Sequence, residues 1–63
     1  MKLSLNFDMG NAAFEDSPNQ HESARILREL AEKIENGEPM GVGDGGKLRD
    51  LNGNKVGEWM ISE

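Results

Sequence analysis

Leu3, Leu5, Phe7 and Met9 alternate with Lys2, Ser4, Asn6 and Asp8 at the start of the chain, the two-residue period of a strand with one buried and one wet face. The pattern predicts a strand over residues 2–8. Gly10-Asn11 breaks it, and Ala12, Ala13 and Phe14 follow as a short apolar patch, with Phe14 placed to close one end of the core. The period then changes. Leu27, Leu30, Ala31 and Ile34 recur at helical spacing, Ala24 and Ile26 widen the stripe, and Arg25, Arg28, Glu29, Glu32, Lys33 and Glu35 fill the rest. A helix over residues 18–36 follows. Ser17 caps it, Pro18 suits its first position because the missing amide hydrogen costs nothing there, and Gln20 completes a Ser-x-x-Gln box. Asn36-Gly37 ends it, with Gly37 able to take the left-handed conformation after the last turn. Arg25–Glu29, Arg28–Glu32 and Glu29–Lys33 stand four apart, each pair contributing about 0.2–0.5 kcal/mol.

Residues 37–46 hold five of the eight glycines and read as a mobile connector. Beyond them Asn52-Gly53, between two short apolar-containing runs, is the strongest local signal for a tight hairpin. Its strands are expected near 47–51 and 54–61. Two registers compete. A two-residue turn at Asn52-Gly53 sets Asp50 opposite Lys55 and Leu48 opposite Gly57, gathering Leu48, Trp59 and Ile61 on one face. A turn over Asp50–Gly53 with a bulge at Gly53 sets Leu48 opposite Val56 and groups Leu48, Val56 and Met60. The first is preferred, because it joins the indole to the core and pairs opposite charges across the strands. The expected architecture is α+β in the order β-α-β-β: one amphipathic helix on a small antiparallel sheet, forming a single domain over residues 1–63. One helix covers one face of that sheet. Val56 and Met60 with Leu51 are therefore candidates for a partner-binding surface on the other face, and Trp59, mainly core with its indole edge at the rim, for an anchor beside it.

At 63 residues folding buries only roughly 60% of the unfolded chain's surface, so little stability is spare. Without cysteine there are no disulfides or thiolate ligands to staple it, and a lone histidine, His21, falls short of the usual zinc sets. No cofactor or metal is expected. The net charge of −5 opposes binding to phosphate backbones, so direct nucleic-acid contact is disfavoured. No apolar run approaches the roughly 20 residues of a membrane span, and the first residues are not a signal peptide, which points to the cytoplasm.

Motifs that carry chemistry are weak here. Gly41-Val42-Gly43-Asp44-Gly45-Gly46 leaves a helix and enters a strand, the reverse of a phosphate-cradling loop. Asp50-x-Asn52-x-Asn54 matches the first ligands of a calcium loop, but Lys55 stands where glycine is required and Ile61 where the bidentate glutamate belongs, so turn chemistry explains it better. His21 has neither nucleophile nor orienting acid assigned by spacing, and Glu15-Asp16 supplies negative charge near a helix start. No catalytic constellation emerges, and a non-enzymatic role is expected.

Asn11-Ala12-Ala13-Phe14-Glu15-Asp16, Ile26-Leu27-Arg28-Glu29-Leu30-Ala31-Glu32-Lys33-Ile34 and Leu48-Arg49-Asp50-Leu51-Asn52-Gly53-Asn54-Lys55-Val56-Gly57 together resemble a group of small uncharacterised proteins encoded by bacteriophages and prophages. The resemblance implies origin and shape, hence a bacterial host cytoplasm, and carries over no functional residue. Two roles are expected. The first is a small protein-interaction module, self-associating as a homodimer through Val56 and Met60 on the outer sheet face. The alternative is an acidic inhibitor of a host nucleic-acid enzyme, presenting Glu22, Glu29, Glu32 and Glu35 to a basic groove.

Overall fold

The computed structural model describes residues 1–15 and 19–63, the side chain of Asn19 aside. Its elements are β1 (Lys2–Phe7), α1 (Ala12–Glu15), α2 (Asn19–Asn36), β2 (Gly45–Arg49) and β3 (Lys55–Ser62). The α+β class, the main helix and the C-terminal hairpin agree with the sequence pattern. The one-turn helix α1 is an addition to it. Asn11 nucleates that turn, its side-chain oxygen accepting from the Ala13 N–H at 3.1 Å and its carbonyl from the Phe14 N–H at 3.1 Å. The turn aims Phe14 inward. The capping box expected at Ser17 and Pro18 lies outside the described residues. At the other end of α2 the Gly37 N–H reaches the Ile34 carbonyl at 3.4 Å. Gly37 does not use the left-handed conformation open to it, which among the described glycines belongs to Gly43 and Gly53.

The three strands form one antiparallel sheet in the order β1-β3-β2. Leu3 faces Ile61, Leu5 faces Trp59 and Phe7 faces Gly57, while on the other side of β3 Gly46 faces Trp59 and Leu48 faces Gly57. The odd-numbered residues of β1 therefore share a face with Leu48, Trp59 and Ile61, and that face meets α2. Its core is Phe14, Ile26, Leu30 and Leu48, with Phe7, Ala13, Ile34, Val56 and Trp59 packed around it. The Phe7 and Phe14 rings stack with centroids 6.3 Å apart.

Neither expected hairpin register holds alone. The turn is the bulged one: Gly53 N–H donates to the Asp50 carbonyl at 3.0 Å, Asp50 N–H to the Asn54 carbonyl at 2.9 Å, and Gly53 has φ 84°. That start would set Leu48 opposite Val56. Instead Arg49 faces Lys55 and Leu48 faces Gly57, so Val56 is an extra residue on β3, a bulge that restores the other register. The expected Asp50–Lys55 charge pair is consequently absent; Lys55 approaches Glu58 at 3.6 Å. Because a bulged residue turns the same way as its neighbour, Val56 leaves the outer face and packs on the core.

Two further expectations change. Leu27 is 45% exposed and Ala31 is exposed, whereas Ile26 and Leu30 are buried. Neighbouring helical residues stand about 100° apart, so the face that meets Phe14 and Leu48 takes Ile26 and cannot also take Leu27. The glycine-rich segment is also more structured than a connector: Gly45 and Gly46 belong to β2, and residues 41–44 form a turn. There Asp44 N–H donates to the Gly41 carbonyl at 3.1 Å, the Asp44 carboxylate accepts from the Gly41 N–H at 2.8 Å, and the Gly43 N–H reaches the Ile61 carbonyl at 3.0 Å. Gly46 is glycine because the Trp59 indole lies across it, with Nε1 2.8 Å from where a Cβ would sit.

Candidate functional site

Two carboxylates, Glu22 and Asp50, are buried although the sequence pattern places both at the surface. A buried carboxylate is costly unless its oxygens are hydrogen-bonded, and both are. Glu22, one turn before Ile26 on α2, accepts from Arg25 Nε at 2.6 Å and Nη2 at 3.0 Å, and from the Leu51 N–H at 2.8 Å. Arg25 also pairs with Glu29 at 2.7 Å and reaches the Arg49 carbonyl at 3.2 Å. These contacts pin the helix to the hairpin turn.

Asp50 organises the turn itself. One oxygen accepts from the Asn52 and Asn54 N–H groups at 2.9 and 2.8 Å; the other accepts from Asn11 Nδ2 at 2.7 Å and Asn54 Nδ2 at 3.3 Å. Asn11, which starts α1, is thereby tied to the hairpin across the molecule. The Arg25 guanidinium holds the Glu22 carboxyl below its ordinary range, burial and the neighbouring Asp50 opposing it while the Leu51 N–H assists. Burial pushes Asp50 up, but the Asn54, Asn52 and Asn11 donors outweigh it and the carboxyl ends below its ordinary range. The resemblance of residues 50–54 to a calcium loop dissolves here, since donors occupy both Asp50 oxygens. Among the described residues no group of three His, Cys, Asp or Glu is placed to hold a metal ion.

The four apolar candidates do not form one surface. Leu51 is 71% exposed at the tip of the hairpin, and Met60 is 53% exposed among Lys2, Ser4, Asn6, Lys47 and Glu58 on the sheet's outer face. Trp59 is half-buried on the opposite face and Val56 belongs to the core periphery. A shallow hollow of about 300 Å³ around the thin, glycine-rich β2 edge touches both Trp59 and Met60. The acidic candidates separate too: Glu22 is interior, Glu29 is bound to Arg25, and Glu32 and Glu35 remain exposed. His21 is exposed.

An apolar surface lies elsewhere, on the helix side of the sheet. The main contacts of α2 are with α1 and β2, and β1, the far edge, meets α1 at its Phe7 end, where Phe14 stacks on Phe7. Leu3 and Leu5 are 45% and 36% exposed there, flanked in line by Met1 and Met9 at 81% and 41%. An uncovered apolar edge thus lies on the sheet's inner face, in addition to the exposed Met60 on its reverse. The alternation in residues 2–8 already contains this edge, but only the strand order and the placement of α2 over β2 leave it open.

No helix among the described residues is long and apolar enough to cross a membrane. Comparison of the chain with protein-family models, with curated proteins and with solved structures gives no match in any of the three.

Proposed function

We propose that this chain is a small, non-enzymatic protein-interaction module that completes its apolar surface by binding another protein chain along β1. The observation that carries this reading is the exposure of Leu3 and Leu5 on the apolar side of an edge strand that meets helix α1 at its Phe7 end. In a domain with five buried apolar side chains among its described residues, leaving two leucines and their methionine neighbours in water forfeits a large share of the available hydrophobic stabilisation. The polar groups that the fold brings together are held in structural pairs, Glu22 with Arg25 and Asp50 with Asn11. A phage or prophage origin, suggested by the three sequence segments, accompanies the proposal.

A photoreactive residue placed at Leu5 in cells producing the protein should give a protein adduct, and the same residue at Met60 should give far less. Absence of any protein adduct at position 5 above the level at position 60 would overturn the reading.

A further inference from the structure

Resting on that reading, we propose that the chain that covers β1 is a second copy of this one, joined β1 to β1 antiparallel about Leu5 so that two three-stranded sheets become one continuous sheet.

The first ground is which backbone groups are free. Asp8 N–H donates to the Val56 carbonyl at 2.8 Å, and Ile61 gives its N–H to the Asp44 carbonyl, on the side away from β1. In an antiparallel ladder alternate residues point to alternate sides. Even-numbered residues of β1 therefore turn their amides to β3, and Leu3, Leu5 and Phe7 present theirs to the open edge. Two such edges meet in register when odd faces odd, each facing pair exchanging two hydrogen bonds.

The second ground is the complementarity of the strand with its own reverse. Met1-Lys2-Leu3-Ser4-Leu5-Asn6-Phe7-Asp8-Met9, laid antiparallel on a copy with Leu5 on Leu5, sets Leu3 against Phe7 and Met1 against Met9 on the helix side. On the other side it sets Ser4 against Asn6 and Lys2 against Asp8. Every apolar residue meets an apolar one, and each end carries a pair of opposite charges. Shifting the register by two residues in either direction keeps Leu3, Leu5 and Phe7 facing apolar residues, but it takes the apolar partner from Met9 or Met1, places Lys2 opposite Asn6 or Asp8 opposite Ser4, and loses both charge pairs.

The third ground is the contrast between the two edges of the sheet. β2 carries Lys47, Arg49, two glycines and the bulge opposite it, the devices that keep a strand edge from pairing. Between Lys2 and Asp8, β1 carries no charge, no glycine and no proline. Area agrees: the chain exposes 4540 Å², where a compact monomer of this mass exposes roughly 4000 Å². The excess, about 1,000 Å² for a pair of chains, is the scale at which specific interfaces begin.

The test is a charge swap read by sedimentation equilibrium. Lys2 opens the exposed strand and Asp8 follows its last residue, where its carboxylate accepts the Gly10 N–H at 2.8 Å; folding of each variant is confirmed by circular dichroism. The unaltered chain should sediment as a dimer. Lys2→Glu sets a second carboxylate against Asp8 at both ends, and Asp8→Lys sets a second ammonium against Lys2; each alone should weaken self-association on the order of tenfold. An equimolar mixture of the two variants restores opposite charges at both ends and should recover the original dimer. A monomer at every concentration, or a mixture no tighter than its components, would overturn the pairing. The adduct at position 5 separates this failure from failure of the interaction-module reading: an adduct with a different protein retains the module and removes the second copy, whereas no adduct removes both.

Discussion

A methyl group at position 57 has nowhere to go. The Cβ of an alanine there would collide with the Asn6 carbonyl oxygen and lie 2.5 and 2.6 Å from Phe7 Cα and Cβ. Gly57 pairs with Phe7 across β1 and β3, so relief would require parting the two strands. Gly57→Ala should destabilise the fold by about 3 kcal/mol, the upper range for overpacking. Gly53→Ala meets no atom within 4 Å but must hold φ near 84°, which costs about 1–2 kcal/mol. Urea unfolding of the two variants should rank them in that order, and equal losses would contradict the close approach. The buried carboxylates give the acid limb its shape. Glu22 and Asp50 titrate below their ordinary values of 4.5 and 3.8, so the unfolded chain binds more protons in that interval and stability rises with pH across it. Their contribution is complete above about pH 4.5–5 and is lost as pH falls through the folded values. Thermal melts should show this loss, and Glu22→Gln with Asp50→Asn should flatten it; an unchanged acid limb in the double variant would remove these two groups as its cause.

Within α2 the phase of the helix is the testable quantity. Leu30 is 6% exposed and Leu27 is 45% exposed, though the two contribute equally to the helical period of the sequence. Leu30→Ala should cost about 2–5 kcal/mol and Leu27→Ala within about 0.5 kcal/mol beyond its small change in propensity. Similar losses would place the helix about a quarter-turn away. The periodicity announces a helix but leaves its phase open, because Ile26, Leu27, Leu30, Ala31 and Ile34 make a stripe wider than the area β2 and Phe14 can cover. Phase is decided by partners distant in sequence. The hairpin behaves alike: Asn52-Gly53 reveals a turn, yet Leu48 reaches Gly57 only through the Val56 bulge, which no local signal announces. Glu22 and Asp50 are illegible as interior groups for a related reason, their donors Arg25, Asn11 and the Leu51 N–H being assembled by the fold. The alternation in β1 is legible as a strand, whereas its position at the sheet edge depends on β3 inserting between β1 and β2. Val56→Lys consequently introduces a charge beside the core and should unfold the domain, while Met60→Lys on the wet face should be tolerated, as circular dichroism of the two variants would show.

At the scale of the molecule, the radius of gyration of 12.4 Å exceeds the roughly 10.6 Å expected of a compact 63-residue domain, and the long dimension of 36 Å is nearly twice the other two. The helix and Phe14 cover the β2 side of the sheet, and the β1 side extends from it with its leucines uncovered. For a chain without disulfides, the proposed pairing would couple folding to association: a second chain on β1 would bury Leu3, Leu5 and Phe7 in the native state only, so mass action would favour folding as concentration rises. For a dimer that dissociates as it unfolds, each tenfold increase in concentration adds about 0.7 kcal/mol per chain. In a domain of this size that shifts the melting temperature by roughly 3–6 °C. The unaltered protein should therefore melt progressively higher across a hundredfold concentration series. Leu5→Lys, which puts two ammonium groups face to face at the centre of the paired strands, should melt at one temperature throughout. If both proteins melt independently of concentration, the exposed edge contributes nothing to stability through association, and the excess surface belongs to the free chain.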